Sequence, residues 1–227
     1  MIQAVIFDLD DTLYDEIEYC RSGFAAAARF LADLPGTPSA RRIFEAFWAQ
    51  FGKGNRTRTF NAALEEISLA SDPGLVRKLI EVYRNHPPHI TLPADSRRVL
   101  RTLGAKYILG LLSDGFLPAQ QLKVRALRIE EYFKYILYTE RLGREFWKPS
   151  PVGFEKLIAA FKTKPCNMAY VADNEKKDFI APNRLGIATV RIIRPARIHK
   201  ELADEPAARA RYRIRRISRL PGLLARL

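Results

Sequence analysis

The stretch that decides the fold lies near the start of the chain: Val5-Ile6-Phe7-Asp8-Leu9-Asp10-Asp11-Thr12-Leu13. A short apolar run that ends in carboxylates at alternate positions predicts a buried β-strand with Asp8 and Asp10 side by side at its tip. Paired carboxylates at such a point can hold a divalent cation and exchange protons. An acidic turn after a strand is also a common solvated loop, so the rest of the chain must decide between the two interpretations.

Three further segments place polar residues at the ends of apolar runs. Two of them read as buried strands, and the third leads into a helix that we expect to begin near Pro151. Because side chains at the carboxyl ends of parallel strands converge on one crevice, these distant segments can build a single site with the first strand. The polar residues that they contribute are Ser113 and Asp114 after residues 107–112, Lys148 before the helix, and Asp173 and Asp178 after residues 168–172.

In their order and spacing these motifs resemble the haloacid dehalogenase superfamily of phosphohydrolases. The DxDxT motif runs from Asp8 to Thr12, and a serine, a lysine and an acidic pair follow it in the family's order. The resemblance spans residues 1 to about 193 and depends on the joint occurrence of the motifs. It implies an α/β fold, with a doubly wound, Rossmann-like parallel sheet and a helical-bundle cap inserted after the first motif.

The resemblance also implies a role for each residue of the site. Asp8 would be the nucleophile that forms an aspartyl-phosphate, and Asp10 would protonate the leaving oxygen and then activate water. Lys148 would offset the negative charge around Asp8 and contact the phosphate. Ser113 and the backbone N–H of Asp114 would bind the phosphoryl oxygens. In isolation, Lys148 would read as a solvated lysine and Ser113 as a helix cap.

The cofactor that the resemblance implies is Mg²⁺. Its ligands would be the Asp8 carboxylate, the backbone carbonyl of Asp10 and Asp173, while Asp178 would support the metal shell, through water or directly. In isolation, Asp178 would read as a carboxylate on a helix face. Two departures from the family pattern, Asp11 and Ala172 at positions where glycine is common, leave this chemistry in place.

The presence of Asp10 helps to distinguish among the reactions that the family performs. A dehalogenase needs only the first carboxylate, because halide leaves without a proton. Sugar-phosphate mutases typically carry a cap histidine near the position of Cys20, and phosphonate-cleaving members use a cap lysine, which is absent from Tyr14 to Phe30. The resemblance therefore favours Mg²⁺-dependent hydrolysis of a phosphomonoester, with a small phosphorylated metabolite, a sugar phosphate or a nucleotide, as the substrate.

Helical periodicity without strands follows the first motif and predicts a separate small bundle. We place this cap at residues 15–90, so that the catalytic core comprises residues 1–14 and 91–227. The last cap helix has Asp72 as its N-cap and Pro73 at its first helical position. The predicted helices cover residues 18–33, 41–51, 59–70 and 75–83.

One cap loop combines glycines with three cations, Lys53, Arg56 and Arg58. A cap closes over the leaving group, so these side chains are candidates for binding a second phosphate, a carboxylate or a nucleotide phosphate. The alternative, which charge patterning favours, is a solvated basic loop.

Composition restricts the class of protein. At 227 residues, with 48% hydrophobic and 28% charged residues, the chain is typical of a globular protein, monomer or homodimer. The first residues enter a strand directly and no apolar run reaches the ~20 residues that span a bilayer, so we expect no signal peptide and no membrane partner. Cys20 and Cys166 are too few for a disulfide framework. These features indicate a cytoplasmic protein.

The unusual feature of this composition is the net charge of +13. Residues 209–219, RARYRIRRISR, hold six arginines and no acid. One interpretation is a protein that binds nucleic acid or docks on a partner through this segment. The favoured one is a last core element, an edge strand and a short helix, whose exposed face is rich in arginine.

Overall fold

The computed structural model describes residues 1–227 and divides the chain into two compact units. One unit comprises Met1–Ile17 and Thr91–Leu227, and the other comprises Glu18–Ile90. The first boundary between these units lies after Ile17, whereas the sequence placed it after Tyr14, because the first two residues of the following helix group with the larger unit.

The smaller unit is entirely helical. Its core is a group of aromatic rings: the Phe60 centroid lies 5.7 Å from that of Phe24 and 5.0 Å from that of Phe47. The predicted cap at Asp72 is confirmed, since its carboxylate accepts a hydrogen bond from the Leu75 N–H at 2.8 Å. The helices are α1 (Glu16–Ala32), which begins in the larger unit, α2 (Ala40–Gly52), α3 (Thr59–Glu66) and α4 (Pro73–Asn85).

Helix α3 is shorter than the sequence predicted. The apolar pattern continues to Ala70, but the helix ends at Glu66. Ser68 has φ +59°, a left-handed conformation that cannot continue an α-helix. Periodicity alone does not reveal such a backbone reversal.

The larger unit is built on a six-stranded parallel sheet with strand order β3-β2-β1-β4-β5-β6. The order reverses at β1, which has β2 on one side and β4 on the other. This is the doubly wound α/β fold that the sequence predicted. The strands are β1 (Ala4–Phe7), β2 (Ile108–Ser113), β3 (Tyr135–Tyr138), β4 (Met168–Ala172), β5 (Ala188–Ile192) and β6 (Tyr212–Ile214).

Helices and a buried core hold the sheet in place. Ile6, Leu112 and Tyr170, from three strands, pack in one apolar cluster with Phe154 and Phe161. The cluster forms because central parallel strands are buried on both faces and read as continuous apolar runs. The helices of this unit are α5 (Ala94–Gly104), α6 (Ala119–Leu127), α7 (Val152–Phe161), α8 (Ile180–Arg184) and α9 (Leu220–Leu224).

The register of the central strands brings the sequence motifs together. Phe7 of β1 pairs with Leu111 of β2 and with Val171 of β4. The carboxyl ends of these three strands therefore lie at the same end of the sheet. The Asp8 N–H donates to the Val171 carbonyl at 2.9 Å.

The arginine-rich end of the chain forms the last strand and last helix of this unit. Ile214 and Leu220 are buried, whereas Arg211, Arg215 and Arg219 are exposed. This is the arrangement of a core element with a cationic outer face, which is the favoured interpretation, and binding of nucleic acid by that face stays an untested alternative. None of the helices is long and apolar enough to cross a membrane.

Candidate active site

Asp8 lies at the base of the site, buried directly beyond β1. The Lys148 ammonium donates to Oδ1 of Asp8 at 2.6 Å, and the Thr12 hydroxyl lies 3.4 Å from Oδ2. Burial raises the pKa of Asp8 to about 6, although the Lys148 charge opposes that rise. Asp8 is therefore a carboxylate held in a poorly solvated position by one cation.

Lys148 connects Asp8 to a second buried acid. Its Nζ atom lies 2.7 Å from Oδ1 of Asp178 and 3.0 Å from the Tyr170 hydroxyl, which in turn donates to Asp178 at 3.1 Å. Burial would lower the pKa of Lys148, but the charges of Asp178 and Asp8 outweigh it and raise that pKa well above its ordinary value. Lys148 is thus firmly charged.

Asp173 follows β4 and supplies another buried carboxylate. Its Oδ2 atom is buried without a hydrogen-bond partner. Burial, followed by repulsion from Asp178 and Asp8, raises the pKa of Asp173 well above its usual range. Arg191 of β5 fixes the backbone here by donating to the Asp173 carbonyl at 2.9 Å.

These residues fit Mg²⁺. The carboxylates of Asp8 and Asp173 are hard oxygen ligands, and an unpartnered carboxylate oxygen among buried negative charges is the atom that a divalent cation would satisfy. No group of three acidic, histidine or cysteine side chains converges on one point. The predicted set needs only two such side chains, because Asp10 would contribute its backbone carbonyl and Mg²⁺ keeps several waters.

Asp10 has a different environment from Asp8. Oδ1 of Asp10 accepts from the Tyr14 hydroxyl at 2.5 Å and from Lys123 at 2.9 Å. Oδ2 accepts from Lys123 at 2.8 Å and from the Gln120 amide at 2.9 Å. Burial opposes ionisation of Asp10, but the Lys123 ammonium outweighs it and lowers the pKa of Asp10 below its ordinary value.

The loop after β2 is fixed through the side chain of Asp114. Its carboxylate accepts from the Thr139 hydroxyl at 2.8 Å and from the Lys148 N–H at 3.2 Å, and the Lys177 ammonium lies 3.4 Å away. Ser113, the last residue of β2, is buried, and its carbonyl faces the Thr139 hydroxyl at 3.3 Å.

A cavity of about 290 Å³ opens over these side chains. Five of the predicted site residues line it, whereas Ser113 and Asp178 lie outside its lining. Asp178 contacts Lys148, which lines the cavity. The predicted residues that line the cavity are Asp8, Asp10, Asp114, Lys148 and Asp173.

Sequence reasoning missed Gln120 and Lys123, which α6 brings to Asp10. Both are buried, together with Ala119, Val124 and Leu127, so two polar side chains occupy the apolar stripe of this helix. A lysine at such a position was a detectable signal, because lysine is almost never fully buried unless it is paired.

The three cations of the Lys53–Arg58 loop have partners inside the helical unit. Lys53 lies 3.7 Å from Glu66, and Arg58 lies 3.4 Å from Glu65. Arg56 donates to the Phe51 carbonyl at 3.0 Å and stacks over the Phe51 ring. Substrate binding by this loop stays a prediction.

The chain is similar to proteins of a known family. The family model of haloacid dehalogenase-like hydrolases matches residues 2–186. The chain belongs to this family. The match contains all four motifs, and the resemblance predicted from the sequence is confirmed.

Two relatives of this haloacid dehalogenase-like hydrolase are phosphatases, and they place it in the phosphatase branch. The glyceraldehyde 3-phosphate phosphatase of Methanopyrus kandleri is 31% identical over 206 residues, which cover 86% of this chain and 85% of the relative. The phosphoglycolate phosphatase of Neisseria gonorrhoeae is 29% identical over 195 residues, which cover 83% and 79%. A crystal structure of a 2-haloacid dehalogenase from Pseudomonas syringae aligns with a TM-score of 0.68, at 24% identity, over 100% of this chain and 99% of that one.

Proposed function

We propose that this protein is a Mg²⁺-dependent phosphomonoester hydrolase that acts through an aspartyl-phosphate on Asp8. The observation that carries the proposal is the cavity that Asp8, Asp10 and Asp173 line together, while Lys148 offsets only part of their charge. The substrate would be a small phosphorylated metabolite, either a sugar phosphate or a nucleotide. The two relatives are named for glyceraldehyde 3-phosphate and phosphoglycolate, so phosphates of short carbon chains are the first candidate substrates.

In the first step, a carboxylate oxygen of Asp8 forms a bond to phosphorus while the ester P–O bond breaks. The negative charge of the substrate favours a protonated Asp10 against the effect of the Lys123 ammonium, and the leaving oxygen takes that proton, so an alcohol departs. Lys148 lowers the repulsion between the Asp8 carboxylate and the anionic phosphoryl group. The backbone N–H of Asp114, which lines the same cavity, and the Ser113 hydroxyl would hold the phosphoryl oxygens.

In the second step, Asp10 removes a proton from water, and the resulting hydroxide attacks phosphorus. The acyl-phosphate bond breaks, which releases inorganic phosphate and restores the Asp8 carboxylate. Asp8, the Asp10 carbonyl and Asp173 would hold Mg²⁺, with Asp178 as support. The cation supplies charge neutralisation that allows one anion to approach another.

We also propose that the helical unit, Glu18–Ile90, is the cap that recognises the leaving group. Its position in the chain supports this role, because it separates the first motif from the second. Lys53, Arg56 and Arg58 are its candidate contacts with an anionic part of the substrate.

A phosphatase assay tests the proposal. The protein with Mg²⁺ is given p-nitrophenyl phosphate and a panel that contains glyceraldehyde 3-phosphate, phosphoglycolate, sugar phosphates and nucleotides. We expect release of phosphate from p-nitrophenyl phosphate and at least one other member, loss of activity in EDTA, and a fall of several orders of magnitude for Asp8→Asn. The exposed Asp33→Asn serves as the matched control. Full activity of Asp8→Asn would overturn the proposal.

A further inference from the structure

The carboxylate of Asp10 makes an unusually complete set of hydrogen bonds. Tyr14 and Lys123 contact Oδ1 at 2.5 and 2.9 Å, and Lys123 and Gln120 contact Oδ2 at 2.8 and 2.9 Å. A carboxylate offers about four acceptor sites, and these donors engage both of its oxygens. The hydrogen bonds of its neighbours therefore fix the orientation of the Asp10 side chain.

Two of the donors come from α6, more than a hundred residues along the chain. Gln120 and Lys123 are three residues apart on this helix and therefore project from the same face. The Gln120 amide also donates to the Asp114 carbonyl, so it joins the loop after β1 to the loop after β2. Because a helix is rigid, it holds both donors at a constant position relative to the sheet.

Lys123 is held from a second side. Its ammonium lies 3.7 Å from Glu16, which lines the cavity, and its side chain is 4% exposed. The shorter distances to Asp10 show that Asp10 is its principal partner. A buried lysine between two acids has little freedom to leave this position.

We propose that Lys123 and Gln120 are positioning residues that hold the Asp10 carboxylate in the orientation required for proton exchange with the leaving oxygen and with water. The inference rests on the proposed function and adds residues that lie outside its four motifs. It predicts that loss of either donor impairs the steps in which Asp10 takes part and spares the attack of Asp8 on a substrate whose leaving group needs no proton.

The kinetic test compares Lys123→Met and Gln120→Met with controls on the same helix, the exposed Arg125→Met and the half-buried Gln121→Met. With p-nitrophenyl phosphate, a good leaving group, the test variants should give a rapid burst of p-nitrophenol. A steady-state rate at least 10-fold below that of the wild type should follow, because hydrolysis of the aspartyl-phosphate needs Asp10. With an alkyl phosphate the burst should be absent, and the controls should match the wild type on both substrates.

A double-mutant cycle shows whether Lys123 acts through Asp10. If it does, Lys123→Met added to Asp10→Asn should change the steady-state rate by less than about 2-fold, since the interaction is already lost. A further fall of 10-fold or more in the double variant, or a wild-type rate in either Lys123→Met or Gln120→Met, would overturn the inference. Circular dichroism identifies a variant that fails to fold, and the other variant then decides. Failure of the proposed function itself would give a different result. The wild type would then show no Mg²⁺-dependent turnover, or Asp8→Asn would keep full activity.

Discussion

Oδ1 of Asp178 lies 2.7 Å from Nζ of Lys148, and both side chains are buried. The other carboxylate oxygen of Asp178 accepts from the Asn174 N–H at 3.0 Å, which fixes the acid to the loop after β4. Asp178 thereby holds the Lys148 ammonium against Asp8, 140 residues away from Lys148 in the chain. Its predicted role in the metal shell stays a prediction, whereas its contact with the lysine is a property of the fold.

Replacement of Lys148 tests how much the buried ion pairs stabilise the protein. Lys148→Met leaves Asp8 and Asp178 in the interior without their common cation. We expect a free energy of unfolding lower by about 3–5 kcal/mol, measured by urea denaturation without Mg²⁺. The exposed Lys156→Met on α7 should change it by less than about 0.5 kcal/mol. A loss below about 1 kcal/mol for Lys148→Met would contradict this account of the pair.

Asp173 provides a test of metal binding that does not depend on turnover. Without Mg²⁺, Asp173→Asn should have a higher melting temperature than the wild type, because it removes a buried carboxylate that is repelled by Asp178 and Asp8. Added Mg²⁺ should stabilise the wild type and leave Asp173→Asn unchanged. Thermal unfolding with and without MgCl₂ measures both effects, and Asp33→Asn is the control. A wild-type response of Asp173→Asn to Mg²⁺ would remove Asp173 from the ligand set.

Glu16 predicts a dependence of stability on pH. Burial, and then the charge of Asp10, raises the pKa of Glu16 to about 8 from an ordinary value of 4.5. Between these two values the folded protein binds a proton that the unfolded chain has released, so this group makes stability fall as pH rises from about 4.5 to about 8. Glu16→Gln cannot ionise and should lack that contribution.

The experiment compares melting temperatures of Glu16→Gln and wild type from pH 5 to pH 9 without added divalent cation. Asp8 and Asp11 also titrate abnormally, and their contribution is common to both proteins. The advantage of Glu16→Gln over the wild type should therefore grow with pH and level off above about pH 8. Parallel curves for the two proteins would show that Glu16 keeps an ordinary pKa.

The basic loop of the helical unit can be tested through substrate preference. The Arg58–Glu65 pair is exposed, and pairs of this kind stabilise a protein by only about 0–1 kcal/mol, so Arg58 can exchange Glu65 for an anionic part of a substrate. Arg58→Ala should lower kcat/KM for the best substrate of the panel by about 10-fold or more and leave p-nitrophenyl phosphate hydrolysis nearly unchanged. Equal losses on both substrates would indicate damage to folding, and no loss on either would make the loop a solvated surface.

The sequence predicted the sheet and the main site residues because the signal there is local. β1, β2 and β4 are continuous apolar runs that stop at Asp8, Ser113 and Asp173, and parallel pairing leaves little choice of where those residues meet. The family resemblance then supplied the roles.

The remaining contacts could not be predicted because they depend on which face of an element meets the site. Tyr170 lies in the middle of an apolar strand and reads as core, yet its hydroxyl contacts Lys148 and Asp178. The position of Lys123 on an apolar stripe indicates a buried, paired lysine, but its partner Asp10 is evident only once the helix is packed. The length of α3 depends on one left-handed residue, Ser68, and the apolar pattern does not show it.

The sheet ends at β6, which pairs with β5 on one side only. An outer strand presents unpaired backbone groups to which a strand of another molecule can add, and such growth leads to aggregates. Arg213 of this strand and Arg211 and Arg215, which flank it, are exposed, and Arg213 lies 3.4 Å from Glu175. Two copies that approach edge to edge would bring these cations together, and we expect the repulsion between them to oppose pairing of the two edges. Salt or a polyanion would screen this charge, so we expect the colloidal stability of the protein to depend on ionic strength.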